Sequence, residues 1–157
     1  PPRSLSMLTE NEFDEVMVIE QAIYEFPWTR GNFLDSLRAG YPAEVLRTPQ
    51  DGVVGYFVAM FGVDEVHLLN LSVAPALQRR GHARYMLDAL RSIARAHRAS
   101  QLWLEVRISN LNARGLYERY GFRNVGLRRG YYPARGRARE DAVVMSLQIP
   151  EAVHGLG

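Results

Sequence analysis

The chain has 157 residues and a mass of 17.8 kDa, which is one domain's worth of sequence and enough to close a single hydrophobic core. Hydrophobic residues make up 47% and charged residues 23%, values that exclude a disordered tail protein and a fibrous repeat. There is no cysteine and no lysine, so thiolate nucleophiles, Cys-ligated metal centres, Schiff-base lysines and the P-loop lysine are all excluded, and the 19 basic residues are all arginine.

The formal net charge is only +2, but residues 1–75 carry 4 Arg against 11 Asp and Glu, and the remainder carries 15 Arg against 6 acidic residues. A basic second half suits a phosphate-rich ligand or nucleic acid, while an acidic first half argues against a protein that simply coats nucleic acid. A solvated basic face is the plainer alternative. No run approaches the length of a membrane span, and PPRSLSMLTENEF lacks the apolar stretch of a signal peptide, so a cytoplasmic protein without a membrane partner is expected.

Thr9 followed by Glu12 forms a capping box, and Phe13, Val16, Met17 and Ile23 recur at helical spacing, which predicts a helix over about 10–24. Phe26-Pro27-Trp28 ends it. Thr29 then caps a second short helix carrying Phe33, Leu34 and Leu37, stopped by Gly40. Strands at 44–48 and 53–61 are joined as a hairpin by Pro49-Gln50-Asp51-Gly52. A third strand, about 66–73, ends at Pro75, and QRRGHAR opens a helix carrying Met86, Leu87, Leu90, Ile93 and Ala94. A strand at 102–106, LWLEV, precedes Ser109-Asn110 and a helix through Tyr120, with Gly121 as its left-handed cap. Strands near 122–127 and 141–148 flank an arginine- and glycine-rich loop, and the tail after Pro150 is expected to be loose. Strands interleaved with helices predict an α/β chain, a mixed sheet with a hairpin-rich first half and a basic helix in the middle.

The loop Gln78-Arg79-Arg80-Gly81-His82-Ala83-Arg84 lies between a strand and a helix amino terminus. Backbone N–H groups there point at whatever is bound, the helix dipole favours negative charge, and small residues at 81 and 83 allow close approach, as in a pyrophosphate cradle. A solvated helix start fits the same residues. Glu105 alternates with Leu104 and Val106, so it shares a strand face with Trp103 and Arg107, where it serves either as a proton acceptor or in a salt bridge to Arg107 or a neighbouring strand. Tyr117, four residues before Gly121, is either functional or a core tyrosine. The four histidines, His67, His82, His97 and His154, have no HxxH or HExxH spacing, so no metal site is expected. Arg128, Arg129, Arg135, Arg137 and Arg139 surround Tyr131 and Tyr132, a mixture that suits an acidic peptide or RNA as well as a solvated loop.

In their order along the chain these segments resemble the GNAT superfamily of acetyl-CoA-dependent N-acetyltransferases. LSVAPALQRRGHAR resembles the superfamily's cofactor motif, and LWLEVRISN, LYERYGF, RRGYYP, REDAVVMSL and the early FPW resemble the ribosomal-protein alanine N-acetyltransferases, which act on the amino-terminal alanine of small-subunit protein S18. The likeness spans about residues 5–149. It implies a single domain over residues 1–157, with a twisted, mixed sheet of about seven strands between flanking helices. The strands ending near Val73 and Val106 would splay to admit pantetheine. Leu71, Ser72 and Val73 would bind pantetheine through backbone groups, Arg79, Arg80, Gly81, His82, Ala83 and Arg84 would cradle the pyrophosphate, and Asn110 would touch the pantetheine arm. The catalytic pair falls on Glu105 and Tyr117, and Phe26, Trp28, Tyr131 and Tyr132 would contact the substrate. Ala83 stands where the motif has its second glycine and His82 where an aliphatic residue is common.

The implied reaction is consistent with elementary chemistry. An α-amino group with a pKa near 7.8 is roughly 10–15% neutral at pH 7, against about 0.04% for a lysine near 10.4, so a protein amino terminus is the easier nucleophile. A strand carboxylate can take the proton and a tyrosine can return one to the departing thiolate, with no acyl-enzyme and no metal. The expected partners are acetyl-CoA and the amino-terminal segment of a protein, without DNA. Rival outcomes are an acetyltransferase acting on a lysine or a small amine, an idle acyl-CoA sensor, and an RNA-associated module.

Overall fold

The computed structural model describes residues 2–151; the tail expected to be loose falls mostly outside them. The chain is α/β, with a seven-stranded mixed sheet in the order β1-β2-β3-β4-β5-β7-β6. The strands are β1 Ser4–Met7, β2 Ala43–Thr48, β3 Gly52–Gly62, β4 Glu65–Val73, β5 Gln101–Arg107, β6 Arg123–Pro133 and β7 Arg139–Gln148. The helices are α1 Phe13–Ile23, α2 Arg30–Arg38, α3 His82–Ala96 and α4 Leu111–Tyr120. The fold gathers into two compact units, one comprising the chain through Phe61 with Leu68–Leu90, the other Gly62–His67 with the chain from Arg91 onward.

In the first unit the Thr9 and Glu12 capping box forms, with Glu12 Oε1 accepting from the Thr9 backbone N–H at 2.8 Å. It closes a 3-10 turn, Glu10–Glu12, that leads into α1. Thr29 caps α2 in a second box with Asn32. β1, which the hydropathy pattern does not reveal because three of its four residues are exposed, adds antiparallel to β2, and β2 pairs antiparallel with β3 through the expected hairpin. Phe13, Val16, Ile19, Phe33, Val45, Tyr56 and Val58 form the core, with the Phe33 ring 5.1 Å from Trp28 and 5.7 Å from Tyr56. Burying side chains of this size stabilises by about 1.5–3 kcal/mol each before entropy is counted.

In the second unit β5 shows strict alternation: Leu102, Leu104 and Val106 are buried while Trp103, Glu105 and Arg107 lie on the other face. Leu104 stands opposite Met145 and Val106 opposite Val143 on antiparallel β7, and β6 completes a hairpin with β7. β4 and β5 pair parallel at Glu65–Gln101, Val66–Leu102 and His67–Trp103. One expectation is corrected here. The segment containing Arg128, Arg129, Tyr131 and Tyr132 is not a loop but the second half of β6, with a register irregularity between Arg128 and Tyr132. Arginine and glycine composition suggested a loop; the antiparallel pairing of Tyr132 with Glu140 and Pro133 with Arg139 keeps it in the sheet.

Candidate active site

In the first unit, β4 ends at Val73, whose carbonyl accepts from the Gln78 side chain at 3.1 Å and so ties the following loop to the strand. Arg79, at φ 64°, and Gly81, at φ 82°, turn the backbone into α3. Tyr85 N–H donates to the Gly81 carbonyl at 3.0 Å, which makes residue 81 the cap and leaves the first-turn N–H groups of α3 without intrahelical acceptors. Gln78, Arg79, Arg80 and Arg84 are exposed around this turn, whereas the His82 side chain is buried with Nδ1 3.4 Å from Arg3 Nη1. Burial, then the charges of Arg3 and Arg80, push the His82 pKa down, so the ring favours its neutral form. First-turn N–H donors, a positive helix end and exposed guanidinium groups are a donor set that fits a pyrophosphate.

Behind this turn lies a buried network that the sequence reading missed. Glu20 is 1% exposed, yet its carboxylate accepts from Tyr56 Oη at 2.7 Å, Asn70 Nδ2 at 2.9 Å and the Trp28 N–H at 2.9 Å. Ser72 Oγ donates to Asn70 Oδ1 at 2.7 Å and lies 2.7 Å from Tyr24 Oη. Three donors compensate the burial of Glu20, without which that charge would cost several kcal/mol. Burial pushes the Tyr24 hydroxyl up to about 12 despite the Ser72 hydrogen bond, and burial and the Glu20 charge push Tyr56 up, so both stay neutral. The clue in the sequence was periodic: Glu20 follows Phe13 by seven and Val16 by four, on the apolar face of α1. Trp28 packs against the core, and Phe26 beside it is 39% exposed.

In the second unit, Glu105 is the centre of a cluster. Its side chain is only 5% exposed. Oε1 accepts a hydrogen bond from His67 Nε2 at 2.6 Å, and Arg128 Nη1 lies 3.1 Å from Oε2. The second contact is ionic without hydrogen-bond alignment, so Oε2 is out of solvent with an acceptor position open. The salt bridge to Arg107 does not form, because Arg107 turns to Glu140 at 3.0 Å and to the Pro133 carbonyl at 2.8 Å. Burial works to raise the Glu105 pKa, but the hydrogen bond and charge of His67, followed by Arg128 and Tyr131, outweigh it and hold the carboxyl below its ordinary range. Tyr131 is pushed up by burial and then by the Glu105 charge, so it remains a phenol. Tyr131 and Tyr132 meet edge to face at 4.9 Å, and the Arg128 guanidinium lies 5.2 Å from the Tyr131 ring.

Tyr117 is 7% exposed on α4, its ring edge-on to Phe122 at 5.4 Å. Asn110 caps the same helix, its side-chain oxygen accepting from the Ala113 N–H at 3.1 Å. That oxygen is committed to the helix, which leaves the amide nitrogen for any ligand. Among the described residues no group of three or more metal-ligating side chains converges. None of the described helices is long and apolar enough to cross a membrane.

The mixed sheet with its flanking helices is that of an N-acetyltransferase: residues 13–122 match the acetyltransferase (GNAT) family, and the chain belongs to it. Members of the family use acetyl-CoA as acyl donor, and this chain is an acetyl-CoA-dependent transferase. Within the family it is 37% identical to the [ribosomal protein bS18]-alanine N-acetyltransferase of Haemophilus ducreyi, over 92% of this chain and 99% of that one. The crystal structure of the ribosomal-protein-S18-alanine N-acetyltransferase from Escherichia coli superposes with a TM-score of 0.84 at 33% identity, covering 99% of both chains. Chaetomium thermophilum Naa20, crystallised with a bisubstrate analogue, shares the fold at a TM-score of 0.81 and 20% identity, covering 93% of this chain and 86% of its own.

Proposed function

We propose that the protein transfers acetyl to the α-amino group of a protein amino terminus, the alanine of ribosomal protein bS18 in particular, and does so in the cytoplasm. The near full-length likeness to enzymes of that specificity supports the acceptor. The observation that carries the chemistry is Glu105, a buried carboxyl held ionised at neutral pH whose Oε2 is paired with Arg128 but makes no aligned hydrogen bond. A buried acceptor left open calls for an explanation, and an incoming N–H supplies one.

Acetyl-CoA brings the acetyl group as an activated thioester. The exposed Arg79, Arg80 and Arg84 with the first-turn N–H groups of α3, including those of His82 and Ala83, would hold its pyrophosphate, with Gly81 allowing close approach. Backbone groups of Leu71, Ser72 and Val73, and the Asn110 amide, would hold its pantetheine arm. Glu105 accepts the proton from the attacking nitrogen, whose acidity rises as its lone pair enters the new bond. Tyr117 returns a proton to the departing thiolate. Phe26, Trp28, Tyr131 and Tyr132 supply apolar and hydroxyl contacts for the peptide's first residues, Trp28 chiefly by supporting Phe26 from the core.

The test is CoA release from acetyl-CoA with a short peptide bearing the bS18-type alanine terminus, beside the same peptide blocked at its amine but carrying a free lysine. Turnover with the free terminus alone is expected. Turnover with the lysine alone would retain the acetyltransferase and discard the α-amine acceptor.

A further inference from the structure

Glu105 does not stand by itself, and the histidine beside it has no role so far. His67 is on β4, in parallel register with Trp103 on β5, and its ring stacks on the indole at a centroid distance of 3.7 Å and an interplanar angle of 8°. The Trp103 indole N–H donates to Glu65 from the same strand as His67, and the Arg128 guanidinium lies 5.8 Å from the indole ring. The imidazole is thus fixed in plane by Trp103, which is itself held by Glu65, and its Nε2 ends 2.6 Å from Glu105 Oε1. An ionised carboxylate only accepts, so Nε2 carries the proton and donates it. Both partners are nearly out of water, with 11% of the His67 side chain and 5% of the Glu105 side chain exposed.

We propose that His67 is the positioning residue for the base: its Nε2–H locks Glu105 Oε1 and turns Oε2 toward the nitrogen to be acetylated. This rests on Glu105 being the base. The groups facing the carboxylate are His67 from β4 and Arg128 and Tyr131 from β6, and its neighbour on β7 is the apolar Val144. Of the polar neighbours His67 acts most strongly in holding the Glu105 pKa down. Removing His67 therefore raises the Glu105 pKa, and the pH at which the enzyme loses activity on acidification rises with it.

The experiment compares wild type, His67→Ala, His67→Gln and Glu105→Gln by kcat and KM across about pH 4–9 with saturating alanine peptide, with acetyl-CoA binding and thermal melting measured alongside. His67→Ala is expected to lower kcat about tenfold or more, leave KM for acetyl-CoA within about twofold, and move the acid limb of kcat upward by about half a pH unit or more. His67→Gln, which keeps an N–H donor but not the imidazole, should recover most of kcat while its acid limb stays above that of wild type. In a Glu105→Gln background, adding His67→Ala should cost nothing further. Should His67→Ala fail to fold, the acid limb of His67→Gln decides: an unmoved limb overturns the proposal. Wild-type kcat and acid limb in both His67 variants, with Glu105→Gln inactive, would remove His67 and leave the base assignment standing. Wild-type turnover in Glu105→Gln would remove the base and His67 together.

Discussion

At the scale of single residues, the second unit uses charge compensation to keep a carboxylate both buried and ionised. Glu105 is desolvated, which disfavours its charge, but the His67 and Arg128 contacts reverse the sign. The outcome at pH 7 is an ionised carboxylate, the state that the proposed role as base requires. Tyr117 is different in kind, since its burial against Phe122 serves the core whether or not it moves a proton. Tyr117→Phe separates the two roles, because the phenyl ring keeps the packing. A fall in kcat of about 10–100-fold is expected with an unchanged urea midpoint; unchanged kcat would make the hydroxyl a packing accessory. Glu105 was legible in the sequence through the alternation of LWLEV, whereas His67 was not. Its distance from Glu105 in sequence is 38 residues, and only the parallel pairing of β4 with β5 brings the two together.

Among the elements, β3 shows how tightly the first unit is built. Leu46 faces Gly55 and Arg47 faces Val53, so β3 bulges by one residue at Val54. The Val54 carbonyl accepts from the Ala74 N–H at 2.9 Å. A Cβ at Gly55 would lie 3.0 Å from Met86 Cε, which the flexible side chain can yield, and 2.7 Å from the Ser72 carbonyl oxygen, which only a backbone shift of β3 or β4 could relieve. Overpacking of this kind costs about 1–3 kcal/mol. Gly55→Ala should therefore lower the melting temperature by roughly 4–8 °C, and since β4 carries Leu71, Ser72 and Val73 it should also raise KM for acetyl-CoA. An unaltered melt would mean that the contact is relieved at no cost. Helix starts and stops at Thr9, Thr29, Asn110 and Gly121 were readable because capping is local chemistry. β1 and the outer half of β6 were not readable. Both are exposed, carry no buried alternation, and owe their extension to a neighbour's hydrogen bonds.

For the molecule as a whole, the titrating groups combine into one pH dependence of stability. The His82 pKa lies below its ordinary 6.5, chiefly through burial. The unfolded chain therefore takes up that proton more readily, and the stability His82 contributes is present above about pH 6.5 and lost as pH falls from there through the folded value. Glu105 and Glu140 are also held low, so their contribution is lost later, below about pH 4.5. Glu44, raised by burial, acts in the opposite sense just above that range, adding stability as pH falls through its folded value toward about 4.5. The urea midpoint is expected to fall between pH 7.5 and 5.5, and His82→Asn should flatten that interval while leaving the fall at lower pH. An equal slope in the variant would assign the neutral-range loss to other groups.

What the sequence determined by itself is local or cumulative: helix caps, the β2–β3 hairpin, the two-residue alternation of β5, the absence of cysteine and lysine, and a chain order of motifs that points to acetyl transfer. Each of these follows from residues within a turn or two of one another, or from composition, and needs no knowledge of what packs on what. Only the tertiary structure decided that Glu105 turns to His67 and Arg128 rather than to Arg107, that Glu20 is held by hydrogen bonds within a buried network, and that residues 128–133 belong to a strand. Those outcomes depend on which distant segments share a strand register, and the energy of burying a charge can be assigned only when its partners are in place.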